Sequence, residues 1–272
     1  MGAIGLFDSG YGGLTIFDRI RRLLPIYDYI YLGDNARAPY GGRSFETVYR
    51  FTREAVIHLF AENCSLVIIA CNTASSKALR TIQTHDLPGL GSEQRVLGVI
   101  RPTVEAIGNM TVTKHIGVLG TEGTVSSGSY EMEIAKMYGG QIQVTMEACP
   151  LWVPLVENNE TSGKGAAFFV HRHIKHILAA DKKIDTLVLG CTHYPLLTRL
   201  IEQHLPKGVN VLSQGEHVAE RLQDYLYRHP EMEQRLSKGG SRRFLTTEST
   251  GRFSEVAGRF LGETVQGEWC EL

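Results

Sequence analysis

Two cysteines in this 272-residue chain stand where a thiol can do chemistry. Cys71 follows the apolar run Leu66-Val67-Ile68-Ile69-Ala70 and precedes Asn72-Thr73-Ala74-Ser75-Ser76. Cys191 follows Leu187-Val188-Leu189-Gly190 and precedes Thr192-His193-Tyr194-Pro195. Each sits where a strand-like run gives way to a helical one, and Asn72 or Thr73 is the expected N-cap of a helix Thr73–Ile82. A helix N-terminus favours the thiolate and lowers a thiol's pKa from about 8.5. His193, two residues beyond Cys191, can exchange a proton with that thiol or stabilise its anion. Taken singly, each motif fits a packed core cysteine at least as well. As a pair they can face one another and act as opposed acid/base groups: one thiolate removes a proton from carbon while the opposite thiol delivers another. Inversion of a stereocentre requires that arrangement.

A third candidate is Asp8-Ser9-Gly10-Tyr11-Gly12-Gly13, directly after the run Ala3–Phe7. Its spacing is G-x-G-G rather than G-x-G-x-x-G, and a carboxylate at the strand end would repel a dinucleotide pyrophosphate. Asp8 and Ser9 suit a cationic group instead, such as the ammonium of an amino acid. A plain strand–helix turn is the other reading of this motif.

The elements that must position these residues are short β-rich runs alternating with amphipathic helical segments, the pattern of an α/β fold. The runs are Ala3–Phe7, Tyr29–Leu32, Ser65–Ala70, Arg95–Val99, His115–Leu119, Gln143–Met146, Thr186–Leu189, Val209–Leu212 and Arg243–Thr246. Ser44–Glu62 is a clear helix, with Val48, Phe51, Ala55, Leu59 and Phe60 at i, i+3/i+4 spacing. The stretch around Cys71 echoes the stretch around Cys191, and Gly5-Leu6-Phe7-Asp8-Ser9-Gly10 echoes Gly117-Val118-Leu119-Gly120-Thr121-Glu122-Gly123. The expectation is two similar three-layer α/β domains with mainly parallel sheets and an active site in the cleft between them. The first domain comprises 1–98 plus 209–272, and the second comprises 99–208. Ligands of open α/β sheets bind outside the carboxyl ends of the strands, where all three motifs lie.

Composition excludes several classes. The charge balance of 28 Lys+Arg against 29 Asp+Glu gives −1, which leaves no electrostatic footprint for nucleic acid. No apolar run approaches the 18 or so residues of a membrane helix, and Met1–Asp8 lacks the basic n-region of a signal peptide, so a cytoplasmic protein is expected. Five cysteines, an odd number without a C-x-x-C pair, suit neither a disulfide framework nor a zinc site. His171, His173 and His176, at i, i+2, i+5 with Arg172 and Lys175 between them, read as a solvated helix face, and no metal is expected. Cys64 is expected to pack at a helix end and Cys270 to be a surface or interface thiol.

Five blocks in order carry a resemblance: Asp8-Ser9-Gly10-x-Gly12-Gly13-Leu14, Tyr40-Gly41, Ala70-Cys71-Asn72-Thr73-Ala74, Ala148-Cys149-Pro150-Leu151 and Gly190-Cys191-Thr192-His193-Tyr194-Pro195-Leu196. With the ending Phe244-Leu245-Thr246-Thr247 before Phe260-Leu261-Gly262, the chain resembles bacterial glutamate racemases over nearly its whole length. The resemblance implies cofactor-independent interconversion of L- and D-glutamate, which supplies D-glutamate for peptidoglycan. It implies Cys71 and Cys191 as the acid/base thiols, meeting D- and L-glutamate respectively. Asp8 would assist the first and His193 the second, with Glu157 a further cleft carboxylate. Asp8, Ser9, Tyr40, Gly41, Asn72, Thr73, Thr192 and His193 would hold the ammonium and carboxylates of the substrate. Cys149 would lie off the proton path, and a homodimer would be usual.

The departures are small. Ala38-Pro39 stands where the family usually has Val-Pro, Gly42 is a second glycine after Gly41, and the stretches 87–94 and 158–164 would alter the cleft rim. Aspartate racemisation is the nearest rival. A two-lobed amino-acid-binding protein would need no paired thiols. A thiol redox enzyme would want a resolving cysteine, and a pyridoxal enzyme a lysine in a Schiff-base context.

Overall fold

The computed structural model describes residues 1–90 and 93–272. Its strands are β1 (Ala3–Asp8), β2 (Tyr29–Gly33), β3 (Cys64–Ile69), β4 (Arg95–Gly98), β5 (His115–Gly120), β6 (Gln143–Ala148), β7 (Thr186–Gly190), β8 (Asn210–Leu212), β9 (Arg242–Thr246) and β10 (Gly267–Trp269). They form a six-stranded sheet in the order β10-β9-β2-β1-β3-β4 and a four-stranded sheet in the order β6-β5-β7-β8. Every pairing in both sheets is parallel.

Parallel strands carry helices on both faces, so their side chains are buried on both sides and read as unbroken apolar runs. The two-residue period sorts them into layers. In the first sheet Leu6, Tyr31, Leu66 and Ile68 join one core cluster, while Phe7, Leu32, Val67 and Ile69 join the other. In the second sheet Leu119, Leu187 and Leu189 pack on one side, and Ile116, Val118 and Val188 on the other. Helix Phe45–Ala61 shows why the local sequence folds as it does. Ser44 Oγ accepts the Thr47 N–H at 3.2 Å as its N-cap, and Val48, Ala55, Val56 and Leu59 form its buried stripe. Phe51 and Phe60 are only half-buried.

The structure corrects four expectations. The second sheet extends past the expected boundary at 208: Asn210–Leu212 pairs with β7, and the chain returns to the first sheet only after it. β10 was not anticipated, because Gly267-Glu268-Trp269 is too short and too polar to show a strand pattern. The helix expected over Thr73–Ile82 starts at Asn72 and stops at Lys77. Short helical segments then run to Leu90, where the described part of the stretch 87–94 breaks off before residues 91 and 92. Cys270 is not a surface thiol: it is buried against the cluster that holds Ile30, Val67 and Leu245, with its N–H bonded to Thr246 O. None of the helices among the described residues is long and apolar enough to cross a membrane.

Candidate active site

The carboxyl ends of β1 and β3 from one sheet, and of β5 and β7 from the other, converge on one cleft. A cavity of about 100 Å³ there is lined by Ser9, Tyr40, Gly41, Cys71, Asn72, Thr73, Glu157, Cys191, Thr192 and His193, all named from sequence. Ala38, Pro39, Gly42, Thr121, Glu122, Pro150, Val153 and Pro154 complete the wall. The second group went unassigned although two signals pointed at it. Thr121-Glu122 lies in the turn that echoes Asp8-Ser9, and Pro150 lies in the Ala148–Leu151 block. A larger cavity of about 900 Å³, lined by residues such as Arg80, Arg101, Met132, Arg221 and Tyr225, contains none of these groups. The chemistry therefore places the site in the smaller one.

Cys71 occupies an unexpected position: it is itself the N-cap, its Sγ accepting the Ala74 N–H at 3.4 Å. The expected caps, Asn72 and Thr73, are the first residues of the helix. Ser9 Oγ stands 3.4 Å from the same sulfur. Burial pushes the Cys71 thiol up to about 12, with the Asp8 carboxylate adding to the rise and the Ser9 and Ala74 bonds opposing it. At pH 7 Cys71 is therefore a neutral thiol.

Cys191 has a different environment. His193 Nδ1 lies 3.9 Å from its sulfur, and His193 Nε2 lies 3.0 Å from Glu157 Oε1. Burial alone would lower the imidazole pKa, but the Cys191 sulfur and the Glu157 carboxylate outweigh it and raise it to about 10. A positive charge thus stands where an anionic sulfur needs one. Phe260 packs edge-on against the His193 ring, with centroids 6.2 Å apart.

Asp8 is fully buried and does not line the cavity. It accepts the Gly10 N–H at 2.9 Å and the Thr192 hydroxyl at 3.3 Å, the latter from the other half of the molecule. Desolvation raises its pKa, while His193 and these hydrogen bonds hold the rise in check. Other bonds stitch the halves around the cleft. Thr15 Oγ1 donates to Thr192 O at 2.9 Å, the Thr73 and Thr121 hydroxyls meet at 2.8 Å, and Gly123 N–H donates to Gly41 O at 2.6 Å. Gly12 is required for the close approach: a Cβ there would lie 2.4 Å from His193 Nδ1 and 2.3 Å from Thr192 Oγ1.

Two of the expected substrate residues are tied down from behind. The Tyr40 hydroxyl donates to the fully buried Asp34 carboxylate, which also takes Arg37 Nε at 2.6 Å. The Asn72 side chain pairs amide-to-amide with Gln214, at 2.6 and 3.1 Å, and accepts from Tyr130 OH at 2.8 Å. Its bonds face away from the cavity. Gly41 has only backbone to offer a ligand, and the Thr73 and Thr192 hydroxyls already bond to Thr121 and Asp8. No Lys or Arg side chain is among the lining residues.

Of the three histidines expected on a solvated face, His171 and His176 are exposed and His173 is not. His173 is buried, its Nδ1 2.7 Å from Glu147 Oε1, and His171 packs on His204 with ring centroids 5.0 Å apart. The helix spacing was right, but strand β6, which supplies Glu147, is remote in sequence.

Comparison with known proteins agrees with this geometry. A model of the Asp/Glu/hydantoin racemase family matches residues 12–222. A curated glutamate racemase from Bacillus cereus is 40% identical over 265 residues, which cover 97% of this chain and 94% of that protein. Among solved structures, a glutamate racemase isoform from Bacillus anthracis superposes with a TM-score of 0.90 at 34% identity, covering 100% of this chain and 98% of that one. A glutamate racemase from Francisella tularensis, solved with D-glutamate, gives 0.87 at 31% identity, covering 99% and 97%. An aspartate racemase from Picrophilus torridus shares the fold at 17% identity and a TM-score of 0.52, covering 82% and 94%.

Proposed function

The chain belongs to the Asp/Glu/hydantoin racemase family, and from that membership we propose that it interconverts L- and D-glutamate, without a cofactor, through the thiols of Cys71 and Cys191. The observation that carries the proposal is that two cysteines, each ending a strand of a different sheet, line one small cavity, each with its own proton partner. In the L-to-D direction the Cys191 sulfur, beside protonated His193, takes the α-proton, and the Cys71 thiol delivers its own to the opposite face. The D-to-L direction reverses both roles. No charge is created overall, since one sulfur gains the proton that the other gives up. The α-carbon acid is weak, so the small cavity serves to exclude water and to surround the developing carbanion with fixed dipoles.

Substrate is held by Ser9, the Tyr40-Gly41 turn, Asn72-Thr73 and Thr192-His193. Hydroxyls and backbone N–H groups take the carboxylates, and Asp8 biases the Ser9 side toward the ammonium. Glutamate is the substrate because the relatives at 30–40% identity are named for it, whereas the aspartate racemase is similar in fold alone. The product serves peptidoglycan synthesis, and the enzyme works in the cytoplasm as a homodimer. The test is to incubate the purified protein with L-glutamate, and separately with L-aspartate, and to separate the enantiomers. D-Glutamate formed without D-aspartate supports the proposal. Unchanged L-glutamate would leave the amino-acid-binding reading in its place.

A further inference from the structure

We propose that Glu147, His173 and His176 form a site for a borderline divalent transition-metal ion such as Zn²⁺, distinct from the thiol cleft. Glu147 lies near the end of β6, the edge strand of the second sheet. His173 and His176 are three residues apart on helix Gly163–Ala180, a spacing that puts both rings on one helix face. That face meets β6. Nδ1 of His173 is 2.7 Å and Nδ1 of His176 is 3.6 Å from the same oxygen, Glu147 Oε1. All three donor atoms lie within 4.8 Å of one another.

An ion bound at about 2.1 Å from each donor in tetrahedral geometry holds the donors about 3.4 Å apart. The longer of the two Glu147 contacts, at 3.6 Å, is close to that separation, and the shorter, at 2.7 Å, reaches it by a sub-ångström swing of the carboxylate. The site is partly built in advance. His173 is buried and held edge-on against Trp152 with centroids 6.0 Å apart, whereas the His176 side chain is 57% exposed. The buried ring fixes the geometry, and the exposed one leaves an entry path and room for water in the remaining coordination position.

The donor set selects the ion class. Two imidazole nitrogens and one carboxylate oxygen suit Zn²⁺, Co²⁺, Ni²⁺ or Cu²⁺ and are poor in the oxygens that Mg²⁺ or Ca²⁺ need. Among the described residues, the ion-pair partners of Glu147 are these two rings, with no Lys or Arg competing for the carboxylate. Trp152 also packs on Tyr194 at 4.8 Å, next to His193, so an ion here braces the wall behind the Cys191 turn.

Cobalt is the probe, because its visible bands report the ligands. The chelator-stripped full-length protein is titrated anaerobically with CoCl₂, alongside His176→Ala, Glu147→Gln and Cys191→Ser. The expected result is one equivalent bound, with d–d bands but no sulfur-to-cobalt charge transfer. Affinity should fall by tenfold or more, on the order of that for losing a ligand or its support, in His176→Ala and Glu147→Gln, and stay unchanged in Cys191→Ser. His176 is exposed, so its variant should keep its fold and its metal-free racemase activity. The proposal is overturned if wild type takes up no cobalt below about 1 mM, if His176→Ala binds as tightly as wild type, or if the spectrum shows thiolate ligation lost in Cys191→Ser.

Discussion

Cys71 caps the helix that it precedes: its sulfur accepts the Ala74 N–H at 3.4 Å, a role normally filled by a Ser, Thr, Asp or Asn oxygen. The same sulfur faces Ser9 and the cleft. The reactive atom is thus held between the start of a helix and the Ser9 hydroxyl. Cys191 has no such cap and is placed by His193 instead. The two thiols have unlike environments, which suits a pair of which one takes a proton while the other gives one.

Replacing either thiol by a hydroxyl should stop racemisation. Cys71→Ser and Cys191→Ser each leave the cavity wall almost unchanged in shape but supply a group far too weak as an acid or base. Loss of a general acid/base is worth about 10²–10⁴ in rate, so D-glutamate formation should fall at least that far in each. Far-ultraviolet circular dichroism would check that the fold survives.

His193 should govern the alkaline side of the pH profile. Its imidazolium persists to about pH 10, so kcat should fall as pH rises through that value. In His193→Gln the limb should vanish and activity should be about 10²-fold lower. The same raised pKa bears on stability. A histidine at about 6.5 when unfolded and about 10 when folded contributes stability that is complete below 6.5 and is lost as pH rises through 10. Urea midpoints of wild type and His193→Gln should therefore converge between those pH values.

Gly12 tests the closeness of the two halves. In Gly12→Ala the added methyl would stand 2.4 Å from His193 Nδ1, so the ring or the turn must move. The expected outcome is a loss of kcat together with a lower melting temperature, since both side chains that the methyl meets, Thr192 and His193, are buried.

Gln214 lies outside the cavity but underneath Asn72. Besides Asn72 Oδ1, its Nε2 lies 2.8 Å from both Thr103 Oγ1 and Tyr130 OH, so its two hydrogens are shared among three acceptors. Gln214→Leu takes away the acceptor of the buried Asn72 amide N–H, while Tyr130 keeps its bond to Asn72 and Thr103 its bond to Val99, so the cost is about 1–3 kcal/mol. Urea unfolding should show that loss, and KM for glutamate should rise because the Asn72-Thr73 turn is no longer held.

Most of this architecture was legible because it is local. Apolar strand ends, glycine turns and the Ser44 cap are written in consecutive residues, and the repeated Cys-plus-hydroxyl ending exposed the two halves. Contacts between remote segments were not legible. The Asn72–Gln214 amide pair spans 142 residues, and the Thr192–Asp8 bond spans 184. His173 was misread for the same reason, its partner Glu147 lying on another element. Cys270 follows the unanticipated β10, and without that strand nothing in the sequence indicates what covers the thiol.

The most direct test of two opposed thiols is the isotope content of both enantiomers early in the reaction of L-glutamate in D₂O. Two separate bases predict that the first D-glutamate formed carries deuterium at the α-carbon while the remaining L-glutamate stays unlabelled. Label entering the L-glutamate pool as fast as D-glutamate appears, or D-glutamate emerging without deuterium, would contradict the account.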